Sequence, residues 1–255
     1  MNLRSLFDFR ETADEPKPLL DHIEDLRRML IRMLAALVVA MGACFAFRSQ
    51  LAAVVQRPLI AVDPERAANL QSLGVADSFT ISLELAFYGG IVLAFPFLLW
   101  FLADFVLPAL TPREKKMLFP AALVGFGLFL GGVVFCYFVV LPQALAFFFN
   151  DAQSMHWQPT WTVREYYSFT TQFVIAFGLA FELPLAVLLL VKLGIVDFET
   201  LRRTRAFALI VIFVFAAIIT PTSDILTLVL MGAPMYVLYE ACIGIAWMME
   251  RKARE

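Results

Sequence analysis

Long apolar runs separated by short polar stretches organise the chain, and about 20 consecutive apolar residues suffice to cross a bilayer. Four runs meet that length: Met29–Phe47, Phe79–Leu107, Leu118–Leu141 and Phe169–Leu193. A fifth, Ala206–Ile219, is short, and a sixth, Ile225–Met249, follows the polar turn "TPTSD". The second run is longer than a bilayer requires and contains Pro96, so a tilt, a kink or a projection beyond the lipid is expected. The fifth either thins the membrane locally or forms a re-entrant hairpin with the sixth; two true but short spans are the reading adopted. The expected fold class is an all-α polytopic membrane protein with six transmembrane helices. Its parts are an N-terminal segment 1–28, a membrane domain 29–249 and a tail 250–255.

Composition removes the soluble alternatives. The chain is 61 % hydrophobic and 16 % charged, with 26 phenylalanines, whereas soluble domains carry about 45–50 % apolar and 25 % charged residues. The net charge of −2 says less than where the charges fall. Sixteen basic residues precede or open the first run, lie between runs two and three, lie at or between the ends of runs four and five, or end the chain. Arg48, Arg57, Arg66 and Arg164 occupy the opposite side. The positive-inside rule then predicts six spans with both termini cytoplasmic. The first 28 residues lack an apolar h-region with a small-residue cleavage site and are expected to be retained. The outer segments 48–78 and 151–166 mix apolar with polar residues and predict short interfacial helices on the outer rim.

Catalytic templates are absent: there is no HExxH, GxSxG, phosphate-cradling loop or dinucleotide fingerprint. His22 and His156 fall on opposite sides of the membrane in this topology, and Cys44, Cys136 and Cys242 lie in apolar runs without metal-ligand spacing. No enzyme activity, cofactor, metal or nucleic-acid partner is therefore expected.

Two cytoplasmic stretches carry unusual charge. In "PLLDHIEDLRRML" Leu19, Leu20, Ile23, Leu26 and Leu30 form one helical stripe. Asp21 suits an N-cap, and Glu24 with Asp25 makes an acidic rim. That rim is either a solvated face or a contact for a basic partner. In "FVLPALTPREKKM" Pro108 ends the second run, Thr111 before Pro112 fits a helix start, and Glu114 is the lone acid among three bases. Glu114 is either a surface ion-pair member or a second acidic contact.

Within the lipid Glu182 is the most expensive residue, since a central acid costs about 2.5–3.5 kcal/mol on insertion scales. Pro184 removes a backbone donor two residues later. A polar notch halfway through the bilayer follows, with a hydrogen-bonded acid packing two helices as the alternative. Asp224 suits a cap opening the sixth span, Glu240 lies nearer the inner face, and Gly127 with Gly131 forms a GxxxG seat for a neighbouring helix.

These pieces, in this order, resemble the TatC family, the multispanning subunits of twin-arginine protein translocases. "HIEDLRRML" is similar to the family's N-terminal motif, "PALTPRE" to its first cytoplasmic loop and "FELP" to its fourth-span motif. "TPTSD" with "PMYVLYE" is similar to its fifth-to-sixth-span signature. The resemblance implies a concave, glove-like bundle with two short final spans in a bacterial inner membrane. It implies a receptor that binds twin-arginine signal peptides and helps export folded proteins on the proton-motive force. Asp25 and Glu114 would receive the paired arginines, with Leu26, Arg27, Phe105 and Pro108 shaping the site. Pro58 matches a proline of the first outer loop, and Glu182 the acid of the concave recess. Asp224, Tyr239 and Glu240 fall in the sixth-span signature, near which TatA/TatB-type single-span partners dock; self-association in a larger complex is also implied. Asp25 is a carbon shorter than the family's usual glutamate. After Asp224 the chain reads "ILTLV" where the family often has a glutamine, which leaves Thr227 as the local polar residue. A proton-coupled small-molecule carrier and a membrane assembly scaffold are the competing functions. The carrier requires further polar residues at midplane, and the other spans are expected to supply almost none.

Overall fold

A computed structural model describes residues 19–106, 112–157, 160–220 and 224–254. The described residues are helical apart from turns and one isolated bridge between Gln71 and Thr162. The helices are α1 Leu19–Ala46, α2 Arg48–Val62, α3 Pro64–Ala68, α4 Asp77–Val106, α5 Pro112–Phe135, α6 Leu141–Ser154, α7 Val163–Ala180, α8 Leu183–Lys192, α9 Phe198–Arg203, α10 Arg205–Ile219 and α11 Ile225–Arg254, with a π-helical turn, Cys136–Val140, joining α5 to α6.

Among the described residues five helical segments are long and apolar enough to cross a membrane: His22–Ala46, Asp77–Val106, Leu118–Ser154, Val163–Lys192 and Ile225–Met248. The shorter apolar helix is α10, whose 15 residues span about 22 Å against a hydrocarbon core of about 30 Å. Only α10 is short. The last helix runs for 30 residues, and its apolar part, Ile225–Met248, is by itself long enough to cross, so the expectation of two short final spans holds for α10 and not for α11.

The third segment also outruns its apolar boundary at Leu141. Pro142 offers no N–H and its ring crowds the turn before it. The π turn absorbs this: the Leu141 N–H bonds to the Cys136 carbonyl, five residues back, and the helix continues as α6. Of the stretch 151–166 the described residues form the end of α6 with the turn after it and the start of α7, rather than an interfacial helix. Segment 48–78 does supply short helices, α2 and α3, and the Gln71–Thr162 bridge pins it to the α6–α7 turn.

Helix contacts are set by small residues. The most extensive pairing is α1 with α4, where a Cβ on Gly90 would lie 3.1 Å from the Met41 backbone nitrogen. Between α5 and α7 a Cβ on Gly132 would lie 2.6 Å from the Phe177 carbonyl. Gly127 and Gly131 face open space, so the GxxxG pair seats no helix of this chain. The residues that pack are one position away, on the α7-facing side. A core of Leu59, Leu141, Phe173, Phe177 and Met231 joins α2, α6, α7 and α11. Cys44, Cys136 and Cys242 are buried free thiols.

Candidate functional site: charged motifs at one end and a notched helix

The N-terminal motif opens α1. Asp21 lies within the helix that begins at Leu19, rather than ahead of it as a cap. His22 stacks on Phe105 near the end of α4, with ring centroids 4.8 Å apart. Ten residues further along α1, Arg32 pairs with Asp104 at 3.4 Å. The acidic rim is partly committed, because Glu24 accepts a 2.7 Å bond from Arg28. Asp25 is half-buried, whereas Arg27 is exposed. Leu26, Ile23 and Leu30 turn an apolar stripe outward. Pro108 and Thr111 lie outside the described residues, and Glu114 is described only as the third residue of α5. The structure therefore brings Asp25, Leu26, Arg27 and Phe105 to one end of the α1–α4 pair. His22 and Asp104 belong there too; an aromatic ring and an acid beside the "FVLP" stretch were the available sequence signals.

Glu182 stands where α7 breaks. α7 ends at Ala180 and α8 starts at Leu183, with Pro184 in its first turn. The missing proline N–H frees the carbonyl four residues back. The carboxylate lies against the α5 backbone: a Cβ on Gly125 would meet Glu182 Oε2 at 3.1 Å. Its Oε1 is buried without a hydrogen-bond partner. The helix breaks at Glu182, and the buried Oε1 lacks the hydrogen bond that the packing alternative would give it.

Polar residues also occupy the contact between α4 and α7, toward the start of α7. Ser168 Oγ donates to Glu84 Oε1 at 2.8 Å, and Gln172 Nε2 donates to Ser168 Oγ at 3.0 Å. Glu84 Oε2 is buried and unpartnered. Glu84 and Ser168 lie seven and five residues from the starts of α4 and α7, and Ser168 and Gln172 share a membrane-length segment with Glu182, so this cluster does not supply the midplane polar residues of other spans that a carrier requires. Glu84 carried the same signal as Glu182, an acid inside an apolar run. Between the two acids lies an apolar plug, in which Phe95 stacks on Phe129 with centroids 3.6 Å apart and Ile175 is packed beside them.

Pro58 sits inside α2 and is buried. It leaves the Val54 carbonyl without an intrahelical donor, and the Tyr137 hydroxyl bonds that oxygen at 2.6 Å. Tyr166 and Tyr167 donate to Val55 and Ala52 at 2.7 and 3.2 Å. Asp224 caps α11, accepting from the Thr227 amide at 2.8 Å and the Thr227 hydroxyl at 2.7 Å. Thr227 is fully buried in that role. Glu240 pairs with Arg205 at 2.8 Å and accepts from Tyr236 at 3.0 Å. The Tyr239 hydroxyl donates to the Leu201 carbonyl at 2.9 Å. Tyr239 and Glu240 therefore bind α11 to α9 and α10. In the α8–α9 turn the Thr200 side chain and backbone hydrogen-bond Asp197 and hold its carboxyl below the usual range. Among the described residues no group of histidine, cysteine or acidic side chains has metal-site geometry.

Membrane-length helices, one of them notched by a glutamate, with charged motifs gathered at one end, define a multi-span membrane protein. The family model of the "Sec-independent protein translocase protein (TatC)" matches residues 21–234. The chain belongs to the TatC family, whose members are protein-translocase components rather than enzymes. It is 36 % identical over 236 residues to the Sec-independent protein translocase protein TatC of Carboxydothermus hydrogenoformans, covering 91 % of this chain and 94 % of that one. It is 47 % identical over 176 residues to the protein of that name from Akkermansia muciniphila, covering 69 % of this chain and 51 % of that relative's length. The fold superposes on a crystal structure of the twin-arginine translocase receptor TatC with a TM-score of 0.79 at 33 % identity, over 89 % of this chain and 98 % of that one.

Proposed function

We propose that this chain is the receptor and core subunit of a twin-arginine protein translocase, and that it binds twin-arginine signal peptides through Asp25 and Glu114. The observation that carries the reading is the junction of α1 with the end of α4, where His22 stacks 4.8 Å from Phe105 and Arg32 pairs with Asp104. It supports a single recognition surface built from the N-terminal motif and the first loop.

Two carboxylates facing two guanidiniums make charge-assisted, bidentate hydrogen bonds that an ammonium cannot reproduce, which selects arginine over lysine. Leu26, Arg27, Phe105 and Pro108 shape the site around those acids. Beyond it, the notch at Glu182 gives an inserted signal helix a polar resting point inside the bilayer. Six spans, counting α10, put both termini in the cytoplasm, in keeping with sixteen basic residues on that side and four on the other. The membrane is the bacterial inner membrane, and proton-motive force drives export of the folded cargo. TatA/TatB-type single-span proteins dock near the sixth-span signature, and copies of the chain associate in a larger complex. In a binding assay Asp25→Ala and Glu114→Ala each abolish arginine-specific signal binding while membrane insertion persists. Unchanged binding in both contradicts the assigned site.

A further inference from the structure

Two side chains of α1 reach adjacent residues at the end of α4. His22 stacks on Phe105 at 4.8 Å, and Arg32 pairs with Asp104 at 3.4 Å. Their backbone positions lie ten residues, about 15 Å, apart along α1, so the two side chains converge. Asp25 falls between them, four residues before the buried Met29 and seven before Arg32. That spacing puts Asp25, Met29 and Arg32 on one side of the helix, the side that meets α4. Asp25 of α1 and Asp104 of α4 therefore belong to one junction, the one that holds the Phe105 ring.

The acids at this end differ in how firmly they are held. Glu24 takes a 2.7 Å bond from Arg28 within one turn of α1. Asp104 is met by a single nitrogen of Arg32 at 3.4 Å, with the two side chains 53 % and 58 % exposed. Charge-assisted bonds of this type usually measure about 2.7–2.9 Å, and an exposed ion pair contributes little to stability. The junction has no need of it as a tie, because α1 and α4 already form the most extensive helix pairing, closed by Gly90 against Met41. A ligand guanidinium that offers Asp104 two parallel N–H bonds exceeds one long contact, and displaces it at little cost.

We propose that Asp104 is a further acid of the signal-binding surface, and that Arg32 holds it before a signal docks and yields it to an arginine of the signal. This rests on the receptor reading above and adds to it a specificity-determining residue and a built-in competitor. The exchange replaces one guanidinium by another at the same carboxylate. An incoming lysine, which has no planar fork, displaces Arg32 less well.

The test measures binding of a twin-arginine signal peptide and its twin-lysine counterpart to the detergent-solubilised full chain. It is run at about 0.15 M salt, where exposed charges more than about 8 Å apart are largely screened. Arg32→Gln is expected to tighten binding of the arginine peptide about two- to fivefold, the scale of an exposed ion pair. Asp104→Asn is expected to weaken that binding and narrow the preference for arginine, whereas Asp104→Glu, which keeps the charge, is expected to preserve both. In the Asp104→Asn background Arg32→Gln is expected to bring no gain. Absence of a gain in the parent, or a gain of equal size in Asp104→Asn, overturns the exchange, since Arg32 then has no effect or acts only as a repelling charge. Parental affinity and preference in Asp104→Asn overturn the contact itself. Each of these leaves the receptor reading standing when the unaltered protein prefers the arginine peptide; equal binding of both peptides by the unaltered protein overturns that reading and the exchange with it.

Discussion

The Tyr137 hydroxyl donates a 2.6 Å hydrogen bond to the Val54 carbonyl, the oxygen that Pro58 leaves without a partner inside α2. A proline inside one helix is thereby tied to a tyrosine in the π turn that joins two others. The π turn admits Pro142, so two prolines are accommodated by one contact region. Removing the hydroxyl in Tyr137→Phe is expected to destabilise the protein by about 0.5–1.5 kcal/mol. In a Pro58→Ala background, where residue 58 again supplies an N–H, the same change is expected to have almost no effect. Thermal unfolding of the four proteins of this cycle in detergent measures the coupling, and equal losses in both backgrounds contradict it.

The α5–α7 contact makes a sharper steric prediction. An alanine Cβ at Gly132 would sit 2.6 Å from the Phe177 carbonyl, whereas at Gly131 it would meet nothing within 4 Å. Gly132→Ala should therefore destabilise by about 1–3 kcal/mol, as overpacking does, and Gly131→Ala should leave the unfolding midpoint unchanged. A reversed order in thermal stability excludes this packing.

Glu182 has a buried oxygen with no partner, so it does not hold the fold together. Glu182→Leu is expected to leave the unfolding temperature unchanged or raise it, because an unsatisfied acceptor is replaced by an apolar side chain. The same variant is expected to dock signal peptide normally and to fail in deep insertion or export. Loss of folding in Glu182→Leu, seen by size-exclusion chromatography, would assign the residue to helix packing instead.

These residues also show how much the sequence reveals. The long runs were legible because apolar length alone decides whether a helix can cross a bilayer, and the notch was legible because Glu182 and Pro184 are both costly there. The Asp224 cap followed from local turn chemistry. Helix ends were less legible: the extension past Leu141 depends on a π turn, which no apolar count reveals. Gly132 was hidden for a different reason, since the steric partner that gives it a role, Phe177, is 45 residues away. Glu84 was detectable in principle, but its link to Ser168 and Gln172 is a tertiary contact.

A pH effect is expected in the α8–α9 turn. Asp197 accepts from the Thr200 amide at 2.9 Å, and its carboxyl is held below the usual range, chiefly by the Thr200 side chain. A carboxyl depressed in the folded state contributes stability above its unfolded value, about 3.9, and loses it as pH falls through the lower folded value. Asp197→Ala should therefore be less stable than the parent at neutral pH, and the gap should narrow as pH falls below the unfolded carboxyl value. A gap that is constant or widens on acidification contradicts the assignment.

The central claim is arginine-selective recognition by an acidic pair. The most direct measurement is the affinity of detergent-solubilised protein for a twin-arginine signal peptide and for its twin-lysine counterpart, with and without Glu114→Gln. The account predicts tighter binding of the arginine peptide and loss of that preference in the variant. Equal, weak binding of both peptides by the unaltered protein would contradict it and leave only a surface that attracts basic peptides.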